Sequence, residues 1–145
     1  MFIMGEPFLV GLRQGDDLLA AITNAFDERS IRKGAFSVIG LLRKAILGCF
    51  DPDTHEYTSR EFVGHLEIVS CSGNISEKDG ASFAHCHLVL ANKEFQCVGG
   101  HLMPESVIFV AELYGTPVPG PVPVRLFDEA RGLYLWPAPP PERQP

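Results

Sequence analysis

The stretch Ala84-His85-Cys86-His87-Leu88 holds two histidines one residue apart, and Gly99-Gly100-His101-Leu102 holds a third a short way on. Successive side chains of a β-strand alternate between faces, so His85 and His87 share a face, ~6.5–7 Å apart along it. A neighbouring strand that carries His101 brings three imidazoles to one point. Three neutral imidazoles suit a borderline-soft divalent ion: zinc binds them at ~2.0–2.1 Å and keeps a fourth position for water. Such an ion polarises a carbonyl or lowers the pKa of its water, or it serves as a structural staple with the water a spectator. The same spacing also fits three hydrogen-bonded histidines at a strand junction or a subunit interface.

Two acids stand near this chemistry. Glu67 and Glu112 interrupt otherwise apolar stretches, and a buried carboxylate requires a partner. Glu67 is therefore the candidate catalytic residue, as a general base near a metal-bound water or as the group that orients a ligating imidazole. Either acid also fits an ion pair with Arg13, Arg43 or Arg125, the reading favoured for Glu112. Cys86 faces away from the histidines that flank it. His55 and His65 fall near loop boundaries and are expected to face solvent, with His65 the remaining candidate for a fourth ligand. Gly99-Gly100 is expected to form a bend or bulge that aims His101. No H-E-x-x-H, phosphate-cradling glycine loop or dinucleotide fingerprint is present.

The elements that must position these groups read mostly as strands. Residues 8–12 form a first strand, stopped by Gln14-Gly15, and Asp16-Asp17 supply an N-cap and first-turn acids. Leu18, Ile22, Ala25 and Phe26 then follow helical spacing, which predicts a helix ending near Arg29. Residues 35–39 and 45–50 read as strands flanking a break at Gly40, and Asp51-Pro52-Asp53-Thr54 as a turn. After a half-alternating strand over 62–71, Gly73-Asn74 and Lys78-Asp79-Gly80 punctuate a loop. Residues 83–90 and 95–101 are the histidine strands, turning at Asn92-Lys93, and 107–113 is a buried strand. The prolines of 116–123 exclude helix or central strand, and 127–133 turns back into an edge segment that ends at Trp136. The expected fold is α+β: a curved, mostly antiparallel β-sheet with one main helix packed on it. Residues 1–136 form its single domain, and 137–145 a proline-rich flexible tail.

Composition narrows the function. With 46% hydrophobic residues in 145, the chain can bury one core. That content points to apolar surface covered by further copies of the chain. No apolar run approaches the ~20 residues needed to span a bilayer. The opening stretch has no basic lead-in and contains Glu6, so no secretory signal is expected and the expected compartment is the cytoplasm. Cys49, Cys71, Cys86 and Cys97 show neither C-x-x-C spacing nor a disulfide framework, and Asn74-Ile75-Ser76 is a glycosylation acceptor only in a secreted chain. A net charge of −6 disfavours DNA, because binding to it rests on a basic patch that displaces counterions. Arg29, Arg32 and Lys33, and the pair Arg43-Lys44, read as solvated ends of elements.

An ordered set of segments resembles the PPC ("plant and prokaryote conserved") domain family over most of the chain. These are Leu12-Arg13-Gln14-Gly15-Asp16-Asp17-Leu18, Ile39-Gly40, Glu67-Ile68-Val69-Ser70-Cys71-Ser72-Gly73-Asn74-Ile75, His85-Cys86-His87-Leu88-Val89-Leu90-Ala91, Val98-Gly99-Gly100-His101-Leu102 and Ala111-Glu112-Leu113. The resemblance implies a strongly bent antiparallel sheet, assembly as a homotrimer, and a metal site at His85, His87 and His101. In plant members the domain accompanies AT-hooks: the hook binds DNA and the domain mediates assembly and partner contact. The hook's Arg-Gly-Arg-Pro core is absent here, which removes the DNA-binding part of the analogy. The plant partner-contact stretch Gly-Arg-Phe-Glu-Ile-Leu corresponds to Gly64-His65-Leu66-Glu67-Ile68-Val69, with His65 in place of the arginine. The expected function is a trimeric zinc-binding protein, a small-molecule lyase or hydrolase if it is an enzyme. The alternative is a non-catalytic assembly or DNA-associated regulatory module.

Overall fold

Asp17 starts the helix as its side chain predicts. It is extended, its carboxylate accepts from the Ala20 amide at 2.9 Å, and its other oxygen accepts from the Ser106 amide at 3.0 Å. One residue thus satisfies an orphan donor of the helix and ties the helix start to a distant loop. A computed structural model describes residues 5–139 of the chain. It comprises β1 (Phe8–Leu12), α1 (Leu18–Asp27), β2 (Gly34–Asp51), β3 (Glu56–Lys78), β4 (Ala81–Ala91), β5 (Cys97–Leu102), β6 (Val107–Pro117), β7 (Val124–Asp128) and β8 (Leu133–Leu135). Most of the expected tail lies outside the described residues. None of the described helices is long and apolar enough to cross a membrane.

The apolar stripe of α1, Leu18, Ala21, Ile22, Ala25 and Phe26, is buried against the sheet. Phe26 meets Phe8 edge-on at 5.1 Å and leans on Phe36 at 6.0 Å. Arg29 donates to the Ala25 carbonyl at 2.7 Å, satisfying an orphan acceptor at the helix end. The helix is small beside the sheet, so the fold is mostly β with a single short helix.

Two glycines read as interruptions do not interrupt. β2 runs unbroken through Gly40, which sits at φ +146° with a register shift against β3 between Ser37 and Gly40. A Cβ there would collide with the Val110 carbonyl of β6, so the glycine bends the strand as a bulge does. β3 likewise continues through Gly73-Asn74, because at Gly73 a side chain would run into the Phe36 ring and the His85 carbonyl. The turn comes only at Asp79-Gly80, both at positive φ.

Antiparallel pairing links β2 to β3, β3 to β4 and β4 to β5. β5 then returns to the far edge of β2 through Leu47↔Leu102 and Gly48↔His101. The four strands therefore close a circuit, and only its inner face is core: Leu42, Ile68, Ile75, Leu90 and Leu102 are all almost fully buried. Each stabilises the fold by ~1.5–3 kcal/mol through removal from water. β6 and β1 extend the sheet beyond the first half of β2. β7 adds in parallel to the end of β3, at Glu77↔Val124 and Lys78↔Arg125, and carries β8 as a hairpin partner.

Candidate metal centre

β4 alternates cleanly. Ala84, Cys86 and Leu88 are buried in the core, so His85 and His87 project from the opposite face of the strand. On β5, Leu102 enters the core, and His101 lies directly across from His87 in the register. Ring centroids are 5.1 Å apart for His85–His87, 5.0 Å for His85–His101 and 5.4 Å for His87–His101. One nitrogen from each ring lies within 4.8 Å of the others. The three imidazoles named by spacing do converge.

Gly99-Gly100 helps in a different way from the expected bulge. The β4–β5 register runs without a shift, and both glycines serve close approach. A Cβ on Gly100 would sit 2.9 Å from the Gly48 carbonyl, and one on Gly99 3.1 Å from that of Leu88. Their lack of side chains lets β5 lie between β4 and β2, which fixes the height of His101.

Burial tunes the triad. His87 is exposed, while His85 and His101 are half-buried. Desolvation, with help from His101, Arg125 and His87, pushes the His85 pKa down to about 4. Desolvation, then His87 and Arg125, lowers that of His101. Both rings are thus neutral at pH 7 and keep a free lone pair, the form that binds metal. The Nδ1 atom of His101 is sealed from solvent and has no hydrogen-bond partner among the described residues. A polar atom in that state costs ~1–3 kcal/mol unless something binds it, and a cation ligated through that nitrogen would do so.

The two acids do not join this cluster. Glu67 lies between inward-facing Leu66 and Ile68, and Glu112 between Ala111 and Leu113, so alternation turns both carboxylates to solvent. The buried carboxylate expected of each is therefore corrected to an exposed one, and neither forms an ion pair among the described residues. His65 is exposed on β3, and His55 caps a turn, stacked on Phe50. Cys86 is buried beside Cys71, whose hydrogen bond, together with burial, pushes its thiol pKa up. Of the basic clusters, Arg32 pairs with Glu77 at 3.0 Å and Lys44 with Glu61 at 3.6 Å.

The family model for the Plants and Prokaryotes Conserved (PCC) domain matches residues 3–117. The chain belongs to this family. Among solved structures, a metal-containing protein from Archaeoglobus fulgidus is 38% identical, with a TM-score of 0.87, over 95% of this chain and 97% of that one. A plant- and prokaryote-conserved protein from Pyrococcus horikoshii is 33% identical, with a TM-score of 0.87 and 95% of each chain covered. A candidate DNA-binding protein from Bacteroides thetaiotaomicron shares the fold at 21% identity and a TM-score of 0.83, over 93% of this chain and 94% of that one. No curated protein matches the sequence.

The PCC match ends with β6, and beyond it lies Arg125, expected only as an ion-pair partner of Glu67 or Glu112 and found instead beside the histidines. Arg125 of β7 is 7% exposed and reaches back to the triad. Its Nε donates to Ser76 Oγ at 3.2 Å, and its Nη2 donates to Asn74 Oδ1 at 3.0 Å and faces His85 Nδ1 at 3.4 Å. The Trp136 indole donates to the same Ser76 oxygen at 3.1 Å, and its ring lies 4.7 Å from the guanidinium carbon. Asn74 and Ser76 are two apart on β3 and share the outer face with His85, a period-2 signal hidden by reading Gly73-Asn74 as the start of a loop.

Proposed function

We propose that this PCC-domain protein binds one zinc ion per chain through His85, His87 and His101 and works as a homotrimer with small-molecule lyase or hydrolase chemistry. The observation that carries the reading is the meeting of three imidazole nitrogens within 4.8 Å, one ring of which has a buried, unpartnered Nδ1. The Archaeoglobus relative, called metal-containing, supports it. A three-histidine zinc ion keeps an open position and supplies a Lewis acid or an activated water. The chain's own residues prepare for that. Burial keeps His85 and His101 unprotonated, the strand register sets the rings, and Arg125 is held mainly by Ser76 and Asn74, so loading His85 costs it only its longest contact.

Trimer formation is implied by the family resemblance and supported by apolar surface on β1, β2 and β6. Leu9 is 80% exposed, Ile39 57% and Tyr114 44%, around a groove of about 530 Å³, and Val110 of β6 is exposed at 48%. A DNA-associated role has support only in the names of neighbours below 25% identity, and the net charge of −6 opposes it.

Calorimetric titration of chelator-treated protein with zinc tests the metal reading. About one ion per chain for the wild type and none for His87→Ala is expected; equal binding by both would remove the triad from the account. Light scattering tests the assembly: a trimer is expected for the wild type and a smaller species for Ile39→Asp, whereas a wild-type monomer would end that part of the proposal.

A further inference from the structure

We propose that the cavity roofed by the β7–β8 hairpin takes a small organic anion, a carboxylate on an apolar or aromatic body, with Arg125 receiving its charge beside the histidine triad. This deepens the zinc reading and rests on it only for the metal as the anion's second partner; the argument for Arg125 stands separately.

The argument begins with charge. A guanidinium stays protonated at any physiological pH, and removing it from water is costly unless an opposite charge compensates. Arg125 is 7% exposed, yet its described protein partners are an amide oxygen, a hydroxyl and an imidazole, none of them an anion. No described carboxylate forms an ion pair with it; Asp128, the acid on the same cavity wall, is bound to Arg131 at 2.7 Å. The walls therefore hold two arginines against one carboxylate. The Nη1 atom of Arg125 donates to no described protein group, which leaves one arm of the fork for a ligand. Three neutral imidazoles also bring no charge to a divalent ion, so loading the triad increases the local positive charge that an anion would balance.

Shape defines the rest of the ligand. The cavity measures about 600 Å³, within the range of small-molecule sites. Beyond Asn74, His85 and Arg125 its wall is largely apolar, including Leu126, Phe127, Leu135 and Trp136. A charged head at Arg125 and a flat or apolar body against Trp136 and Phe127 fit that division. The guanidinium is also oriented in advance, stacked 4.7 Å from the Trp136 ring and 5.4 Å from that of Phe83, so little ordering is left for binding.

Trp136 is the only tryptophan in the chain, so its fluorescence reports on this cavity directly. The probes are benzoate and its neutral isostere benzamide, titrated into the wild type and Arg125→Gln, each chelator-treated and zinc-loaded. The expected result is a saturable change with benzoate in both metal states. Benzamide should bind at least about tenfold more weakly, and Arg125→Gln should lose the benzoate preference. Equal responses to the two probes, or no saturable response up to ~10 mM, would overturn the proposal. So would a response that requires zinc and survives Arg125→Gln, because the anion would then sit on the metal alone. If Arg125→Gln does not fold, the wild-type comparison of benzoate with benzamide still decides. Benzoate selectivity in a protein that takes up no zinc would support this site and count against the zinc reading alone.

Discussion

The β4–β5 pair and the β7–β8 hairpin approach the same site by different routes, and they differ in how far the sequence reveals them. On β4 and β5, chemistry follows from local rules: a two-residue period puts His85 and His87 on one face, and a neighbouring strand puts His101 across from His87. The hairpin acts through contacts remote in sequence. A short parallel pairing at the end of β3 delivers Arg125 to Asn74, Ser76 and His85. The first region supplies neutral ligands and the second a buried charge. Ligand sets are therefore legible from spacing, while the group that sets the electrostatics comes from an element no short-range pattern announces.

Disabling the first region should have the largest effect. His101→Ala removes one of three ligands and should abolish stoichiometric zinc binding while leaving the circular dichroism of the apoprotein unchanged; retained zinc would mean that the histidines are not the ligands. Next comes the strand geometry beneath them. Gly73→Ala puts a Cβ into the Phe36 ring and the His85 carbonyl, and should lower stability by ~1–3 kcal/mol or more in urea unfolding. A neutral result would show that β3 and β4 can move apart without cost. The hairpin is probed by Ser76→Ala, which strips the acceptor shared by Arg125 and Trp136. Buried Arg125 and the more exposed Trp136 then both lose a partner, at ~1–3 kcal/mol for the buried donor, and the Trp136 emission should shift to the red. Unchanged stability and emission would show that the hairpin is not held through Ser76.

The smallest effect concerns pH. His85 titrates at about 4 when folded, against an ordinary value of 6.5. As pH falls through that window the unfolded chain takes up its proton first, so stability present at neutral pH is lost on the way down. Chelator-treated wild type should therefore show a falling urea midpoint between pH 7 and 5, and His85→Gln a shallower fall. Parallel slopes for the two proteins would remove His85 from the acid response.

Where the sequence misleads, the cause is consistent. Glycine marks both a chain break and a close approach, and at Gly40 and Gly73 the approach of β6 and of Phe36 is what the missing Cβ serves. Glu67 and Glu112 lie in runs apolar on both sides, which resembles burial. The runs look that way because the outer face also carries apolar residues such as Val69 and Val110, exposed at 56% and 48%. The helix, by contrast, is legible to within two residues, because its cap and its apolar stripe are both local. The prolines before Val124 conceal β7, and with it the one buried arginine among the described residues.

The central claim is that His85, His87 and His101 hold a metal in the protein as it is made. Its most direct test is elemental analysis of untagged protein purified without chelator or nickel resin. The account predicts about one zinc per chain. No metal, before or after zinc addition, would contradict it and leave the three histidines as hydrogen-bonding groups on the outer face of the sheet.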